Sequence, residues 1–330
     1  HVSNVFYNDR AIELAQQICA RTPFDRVYFC NSGSEANESL LKLARRYHHD
    51  RGEPQRTGFV STRNSFHGRT MGSLSLTGQP KYHQGMQPLI EGVRFIDFND
   101  VAALDRAVTD ETAAVIFEPV QAEGGIIVAT PEFVEGARKI CDERGALLLF
   151  DEIQTGYGRT GTFLALEHYD VVPDACSLAK GIGGGFPLGA MAVTERFSGG
   201  LPPGSHASTF GGNPLACAAG LAVLHIIDEE GLIESSRTQG EYLAARLAEI
   251  DARLPTTAGT RGLGLLQGLV LSDDVDPGAT IAAIHAAGLL LTLAGGNVIR
   301  VSPPLNVTRD ELDEGLSILE RVIAEAPRKP

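Results

Sequence analysis

Clustered positive charge is missing from this chain: 28 Lys and Arg stand against 41 Asp and Glu, a formal net charge of −13. Nucleic-acid phosphates and anionic membranes are bound by basic patches, so both partner classes are disfavoured. Cysteine is thin as well. The five present, Cys19, Cys30, Cys141, Cys176 and Cys217, are odd in number, widely scattered and never form CxxC. That argues against a disulfide framework or a zinc knuckle and fits a reducing cytoplasm. None of the nine histidines forms an HxxxH pair, so no metal site is expected. Long hydrophobic runs are also lacking, since the most apolar stretch, 214–227, is too short for a bilayer and carries His225. No signal peptide is visible. Gly262-Leu263-Gly264 lacks the third glycine of a dinucleotide fingerprint and no GxxxxGK[ST] occurs, which argues against nicotinamide and P-loop chemistry.

What is present is ordinary globular material: 330 residues, 43% apolar and 21% charged, enough for one large domain and a smaller one. Short apolar runs at 27–30, 58–60, 113–117, 146–150, 175–178 and 190–193 read as strands. Between them, Ala36, Leu40, Leu43, Ala44 and Tyr47 form one stripe of a helix, and 131–144 and 214–227 also read as helices. This alternation predicts an α/β fold with a mostly parallel sheet covered on both faces. After about residue 225 the texture changes to a charged helix (241–250), a strand (264–271), a helix (280–287), two strands (289–293, 298–301) and a helix (308–324). The division expected is therefore a large domain over 1–224 and a small α+β C-terminal domain over 225–330.

The chemistry centres on Lys180, which follows the apolar run 175–178 and enters the glycine-rich loop Gly181-Ile182-Gly183-Gly184-Gly185. Asp151 ends the run 146–150. An amine and a carboxylate, each where a buried strand ends, suit pyridoxal phosphate: the amine to carry it, the carboxylate to hold a proton on the pyridine nitrogen. Asn31-Ser32-Gly33-Ser34-Glu35, between a strand and its helix, offers free N–H groups and hydroxyls to an anion, and is equally a capping box. Phe66 is able to stack on a heteroaromatic ring and Arg69 to bind a carboxylate, or they are a core Phe beside a surface Arg. Glu118 and Glu123 lie on a loop at a strand's carboxyl end, where open α/β sheets place their ligand crevice. Asp151 and Gln154 address two different ring atoms with Ile153 against a ring face, or Asp151 is a plain cap. Ser208-Thr209-Phe210-Gly211-Gly212 provides a second phosphate loop or a turn.

Taken in order, anion loop, aromatic, paired acids, Asp-x-x-Gln, lysine and Ser-Thr-Phe-Gly-Gly, the chain resembles the class III pyridoxal-phosphate aminotransferases. The likeness covers nearly all 330 residues, with Phe29-Cys30-Asn31-Ser32-Gly33, Phe66-His67-Gly68-Arg69-Thr70-Met71-Gly72, Asp151-Glu152-Ile153-Gln154-Thr155-Gly156 and Arg300-Val301-Ser302-Pro303-Pro304-Leu305 as its firmest parts. Ala122 departs from the glycine of many members, without removing a functional group. The resemblance implies a fold type I transferase with a mostly parallel seven-stranded-type sheet, pyridoxal 5′-phosphate as cofactor and a homodimer with shared active sites. It implies that Lys180 holds the cofactor covalently, that Asp151 pairs with the ring nitrogen, and that Gln154 lies near the ring hydroxyl. Phe66 and Ile153 would sandwich the ring, His67 would join the cofactor site, and Ser32, Gly33 and Ser34 would hold the phosphate. Thr209 would reach the neighbouring subunit's phosphate. Arg69 and Ser208 would contact the distal part of the substrate and Arg300 its α-carboxylate, with Glu123 as the carboxylate that pairs with Arg300 and swings away. Within the family the chain is most similar to members taking N2-acetylornithine with 2-oxoglutarate; ornithine, succinyl-diaminopimelate, lysine-pathway intermediates and 4-aminobutyrate remain open as donors. A non-catalytic scaffold on the same fold is disfavoured because Lys180, Asp151, Gln154 and Thr209 are all present. Family members carry an N-terminal arm ahead of the position of His1, which is expected to complete the small domain and part of the site entrance.

Overall fold

In the computed structural model, which describes residues 1–329, the apolar runs become the centre of a seven-stranded sheet. The strands of the first part of the chain are β1 (Arg26–Cys30), β2 (Gly58–Thr62), β3 (Val93–Ile96), β4 (Thr112–Phe117), β5 (Val120–Gln121), β6 (Ile127–Val128), β7 (Leu147–Asp151), β8 (Ala175–Leu178) and β9 (Gly189–Val193). Their order in the large sheet is β1-β9-β8-β7-β4-β2-β3, while β5 and β6 form a separate two-stranded ribbon. Only β9 runs against its neighbours.

Alternation along β7 explains how the sheet is covered. Leu148 and Phe150 pack with Phe133, Val134 and Ala137 of the helix Pro131–Arg144. Leu147 and Leu149 point the other way, to Leu40, Leu43 and Ala44 of the helix Gly33–Asp50. A strand buried on both faces has no polar alternation left, which is why β4 and β7 read as unbroken apolar runs. The parallel direction brings the carboxyl ends of β1, β2, β4, β7 and β8 to one edge of the sheet, and every chemical motif of the first 180 residues follows one of these ends.

The later residues form a four-stranded antiparallel sheet from β10 (Thr257–Leu263), β11 (Leu266–Leu271), β12 (Thr292–Ala294) and β13 (Val298–Val301), in the order β10-β11-β13-β12. Its helices, Leu232–Arg253, Pro277–Ala286 and Arg309–Ala324, close a second core around Leu243, Leu247, Leu269, Ile299, Leu316 and Leu319. Two expectations need correction. The strand expected over 264–271 starts at Leu266, because Gly264 (φ +52°) and Leu265 turn a hairpin between paired Leu263 and Leu266. The strand expected over 289–293 is Thr292–Ala294; Leu289, Leu291 and Leu293 pack on the second core while Leu290 is exposed, so the run alternates, but only from Thr292 does it pair with β13. Val120, Ala122 and Ile126 of the β5–β6 ribbon pack on Leu266, Ala294 and Val298 of the second sheet. That contact carries Glu123 to Arg300. Among the described residues no helix is long and apolar enough to cross a membrane.

Candidate active site

Five buried residues end β7 at Asp151, which is 3% exposed. Its Oδ2 accepts hydrogen bonds from His67 Nδ1 and Asn37 Nδ2, both at 2.8 Å, and its Oδ1 accepts from the Ile153 N–H at 3.1 Å. Asp151 does not cap a helix here. His67 is almost fully buried and stands behind the carboxylate, and Asn37, which no sequence motif marked, does the same from the helix Gly33–Asp50. The available signal was a polar residue on a helix face otherwise buried.

Lys180 begins a short 3-10 turn just beyond β8, at φ +49°. A side-chain-bearing residue held in the left-handed region signals backbone strain maintained by its surroundings, and such strain gathers at functional sites. Protein atoms enclosing the side chain push the amine below the ordinary lysine value, against the attraction of Asp151, Glu123 and Glu118. The residue is nonetheless reachable by solvent through the cavity, so this is desolvation inside an open cleft rather than a sealed core. A lowered pKa enlarges the neutral, nucleophilic fraction of the amine.

Ser32 caps the helix Gly33–Asp50, its Oγ accepting from the Glu35 N–H at 3.3 Å. The expected capping box forms only by half: the Glu35 carboxylate reaches past the cap to the Asn31 N–H (2.6 Å) and Asn31 Nδ2 (3.3 Å). The first intrahelical bond runs from the Ala36 N–H to the Ser32 carbonyl, so the Gly33 and Ser34 N–H groups precede the ladder, and both residues line the cavity. A Cβ on Gly33 would lie 2.8 Å from Ile153 Cδ1, which accounts for glycine at this point.

Of the two acids after β4, Glu118 is 3% exposed and accepts the Phe66 N–H at 3.0 Å. Burial, then the nearby Asp151 charge, pushes its carboxyl well above the usual range. Glu123 pairs with Arg300 (2.5 Å) and is met by Gln154 Nε2 at 3.4 Å. Burial alone would raise the Glu123 carboxyl, but the Arg300 bond and charge outweigh it and hold it below the ordinary value.

Ser32, Gly33, Ser34, Phe66, His67, Glu118, Asp151, Ile153, Gln154 and Lys180 thus line one cavity of about 380 Å³. The other expected residues lie outside that lining. Arg69 is exposed, 4.0 Å over the Tyr82 ring, with its N–H given to Ser34 Oγ. Ser208 Oγ accepts from Asn31 Nδ2 (3.0 Å) and the Gly211 N–H (3.1 Å), whereas Thr209 is exposed on the surface. Arg300 and Glu123 stand beyond Gln154.

A family model described as aminotransferase class-III matches residues 1–323. The chain belongs to the class-III aminotransferase family. This aminotransferase is 46% identical over 325 residues to the acetylornithine aminotransferase of Caldanaerobacter subterraneus subsp. tengcongensis, covering 98% of the chain and 82% of that relative. To the acetylornithine aminotransferase of Gloeobacter violaceus it is 47% identical, with 99% and 82% covered. Its fold matches the ornithine aminotransferase of Toxoplasma gondii with a TM-score of 0.93 at 32% identity, over 98% of the chain and 78% of that structure. An amine transaminase of an uncultivated Pseudomonas species, in a PLP-bound form, matches with a TM-score of 0.90 at 34% identity, over 97% and 82%.

The cofactor of this aminotransferase is pyridoxal 5′-phosphate. The residues present fit it: the cavity joins unbonded helix N-terminal N–H groups at one end, a buried carboxylate whose Oδ2 carries both side-chain donors, and an amine at a strained backbone position. Glu123, bonded to Gln154, holds Arg300 in an ion pair beside this cavity.

Proposed function

We propose that this aminotransferase moves the ω-amino group of N2-acetylornithine to 2-oxoglutarate, giving the semialdehyde and glutamate, as a step of arginine biosynthesis in the cytoplasm. Curated relatives at 44–47% identity that bear the name acetylornithine aminotransferase support the donor. The observation that carries the reading is the Arg300–Glu123 pair beside the cavity. The ω-amine of the donor lies far from its α-carboxylate, whereas glutamate reacts at its α-amine. A guanidinium that is neutralised for the first and freed for the second serves both, and Glu123 is the carboxylate that moves.

When bound, pyridoxal phosphate supplies an electrophilic carbon for the amine and a ring that takes up electrons. Lys180 would carry it, and its Nζ, once released, would take the proton from the amine-bearing carbon of the donor and pass it to the cofactor's aldehyde carbon, where the amino group is left. Asp151 Oδ1 holds the proton on the pyridine nitrogen. Gln154 would bond the ring hydroxyl, Phe66 and Ile153 would pack on the ring, and Ser32, Gly33 and Ser34 would hold the phosphate. Thr209 completes the phosphate site of the partner subunit in a homodimer, and Arg69 and Ser208 meet the distal end of the substrate. Exposed Val5, Phe6, Tyr7, Phe210 and Leu215, around the Thr209 loop and the helices beside it, support such an interface. The division proposed is a cofactor-binding part over 1–224 and a small part over 225–330, with Arg300 brought in by the second.

A half-reaction screen tests the donor. Conversion of bound cofactor to its amine form is followed by absorbance with N2-acetylornithine, ornithine, succinyl-diaminopimelate, lysine and 4-aminobutyrate. N2-acetylornithine is expected to give the highest rate per unit concentration. Any of the others exceeding it tenfold would replace it as the substrate.

A further inference from the structure

Asn37 is fully buried on the second turn of the helix Gly33–Asp50, one turn beyond the Gly33 and Ser34 N–H groups and on the same face. Its Nδ2 has two partners, Asp151 Oδ2 at 2.8 Å and the His67 carbonyl at 2.7 Å. Both are acceptors, so the amide orientation is decided by chemistry: the nitrogen, with two hydrogens, must face them. Its Oδ1 is buried without a partner. A buried amide oxygen left unbonded is unfavourable, and the fold keeps it while the two N–H bonds are made.

We infer that Asn37 is a positioning residue for the ring-nitrogen site: with His67 it loads Asp151 Oδ2 with two donors and turns Oδ1 to the cofactor. Two N–H groups converging on Oδ2 leave no room for a proton on that oxygen. A proton shared between Asp151 and the pyridine nitrogen is therefore handled by Oδ1 alone, and the donors behind the carboxylate weaken its hold on that proton. The proton stays on the ring. Because Asn37 and the Gly33–Ser34 N–H groups share one rigid helix face, the helix sets the distance between the phosphate end and the ring-nitrogen end of the site. The inference rests on the role proposed for Asp151.

The test uses holoenzyme loaded with pyridoxal phosphate labelled with 15N in the ring, whose chemical shift reads ring protonation directly. Asn37→Leu keeps the branched shape without any donor, and Asn37→Ser keeps one short donor. The expected result is a ring-nitrogen resonance displaced toward the unprotonated position in Asn37→Leu and less so in Asn37→Ser. Turnover should fall about 10- to 100-fold in the leucine variant, the scale of one bond to a charged group, with KM for 2-oxoglutarate nearly unchanged. If the leucine variant does not fold, the displacement in the serine variant decides. A native resonance in whichever variant folds, with any loss of activity following a loss of thermal stability, would overturn the inference and leave Asn37 as packing. Asp151→Ala is the control: an unchanged resonance there would overturn the Asp151 role and this inference together, whereas a displaced one confines a failure to Asn37.

Discussion

Asp151, Lys180 and Glu123 each combine a position that the sequence disclosed with surroundings that it did not. The first two were legible because a charged residue at the end of an unbroken apolar run has few structural uses. What surrounds Asp151 was not: Asn37 and His67 arrive from other elements, and no local pattern links residues 37, 67 and 151. Asp151→Asn keeps the shape but removes the charge opposite the ring nitrogen. Turnover should fall on the order of 100-fold or more with the fold retained, and a near-native steady-state rate would return Asp151 to a packing role. Lys180 makes a prediction about pH in the cofactor-free protein. Folding lowers its pKa, so the native state binds this proton more weakly than the unfolded chain does. The penalty is fully present below the native pKa and fades as pH rises toward the unfolded value of about 10.4. Lys180→Met should therefore raise the melting temperature most near neutral pH, with the gain shrinking toward pH ~10. A gain independent of pH would refute a desolvated amine. Glu123→Ala should leave Arg300 open, favouring glutamate and weakening preference for the ω-amine donor. Equal losses in the two half-reactions, measured separately by stopped-flow, would assign Glu123 a purely structural role.

At the scale of elements, strands buried on both faces were the easiest to read, as with 175–178, and the helix 131–144 was bounded by its Pro at the start and Gly145 at φ +72° past the end. Among the strands that escaped notice, Val93–Ile96 and Thr257–Leu263 are edge strands, short or mixed in polarity, and Val120–Gln121 and Ile127–Val128 form a two-residue ribbon; all owe their state to a neighbour. Caps show the same limit. Ser32-x-x-Glu35 has the capping-box pattern but spends its glutamate on Asn31, whereas Thr308 and Glu311 complete a reciprocal box. Thr308→Ala should cost about 1 kcal/mol, a drop of about 1–2 °C in melting temperature by calorimetry, without changing turnover. Gly33 belongs to the same scale. Alanine there suits a helix better by up to ~1 kcal/mol, yet its Cβ would push Ile153 toward the ring site. Gly33→Ala should keep the melting temperature of the apoprotein and weaken cofactor binding by about tenfold, read by equilibrium dialysis; unchanged affinity would mean that Ile153 moves aside freely.

For the whole molecule, the site needs both sheets: the large one presents Lys180 and Asp151, and the second brings Arg300 to Glu123 through the ribbon contact at Val120, Ala122 and Ile126. The family resemblance implied this pairing, but no local pattern carries it, because residues 123 and 300 meet only through tertiary packing. Thr209 is exposed and outside the lining of the cavity of its own chain, so the proposed shared site requires a dimer burying upwards of roughly 2,000 Å² in total. Light scattering at micromolar concentration should give twice the chain mass, and a fully active monomer would contradict the shared site. The account stands most directly on where the cofactor is attached. Reduction of the holoenzyme with borohydride, digestion and mass spectrometry should place the pyridoxyl group on the peptide containing Lys180 and abolish activity. An adduct on Lys42 or Lys81, with Lys180 unmodified, would contradict it.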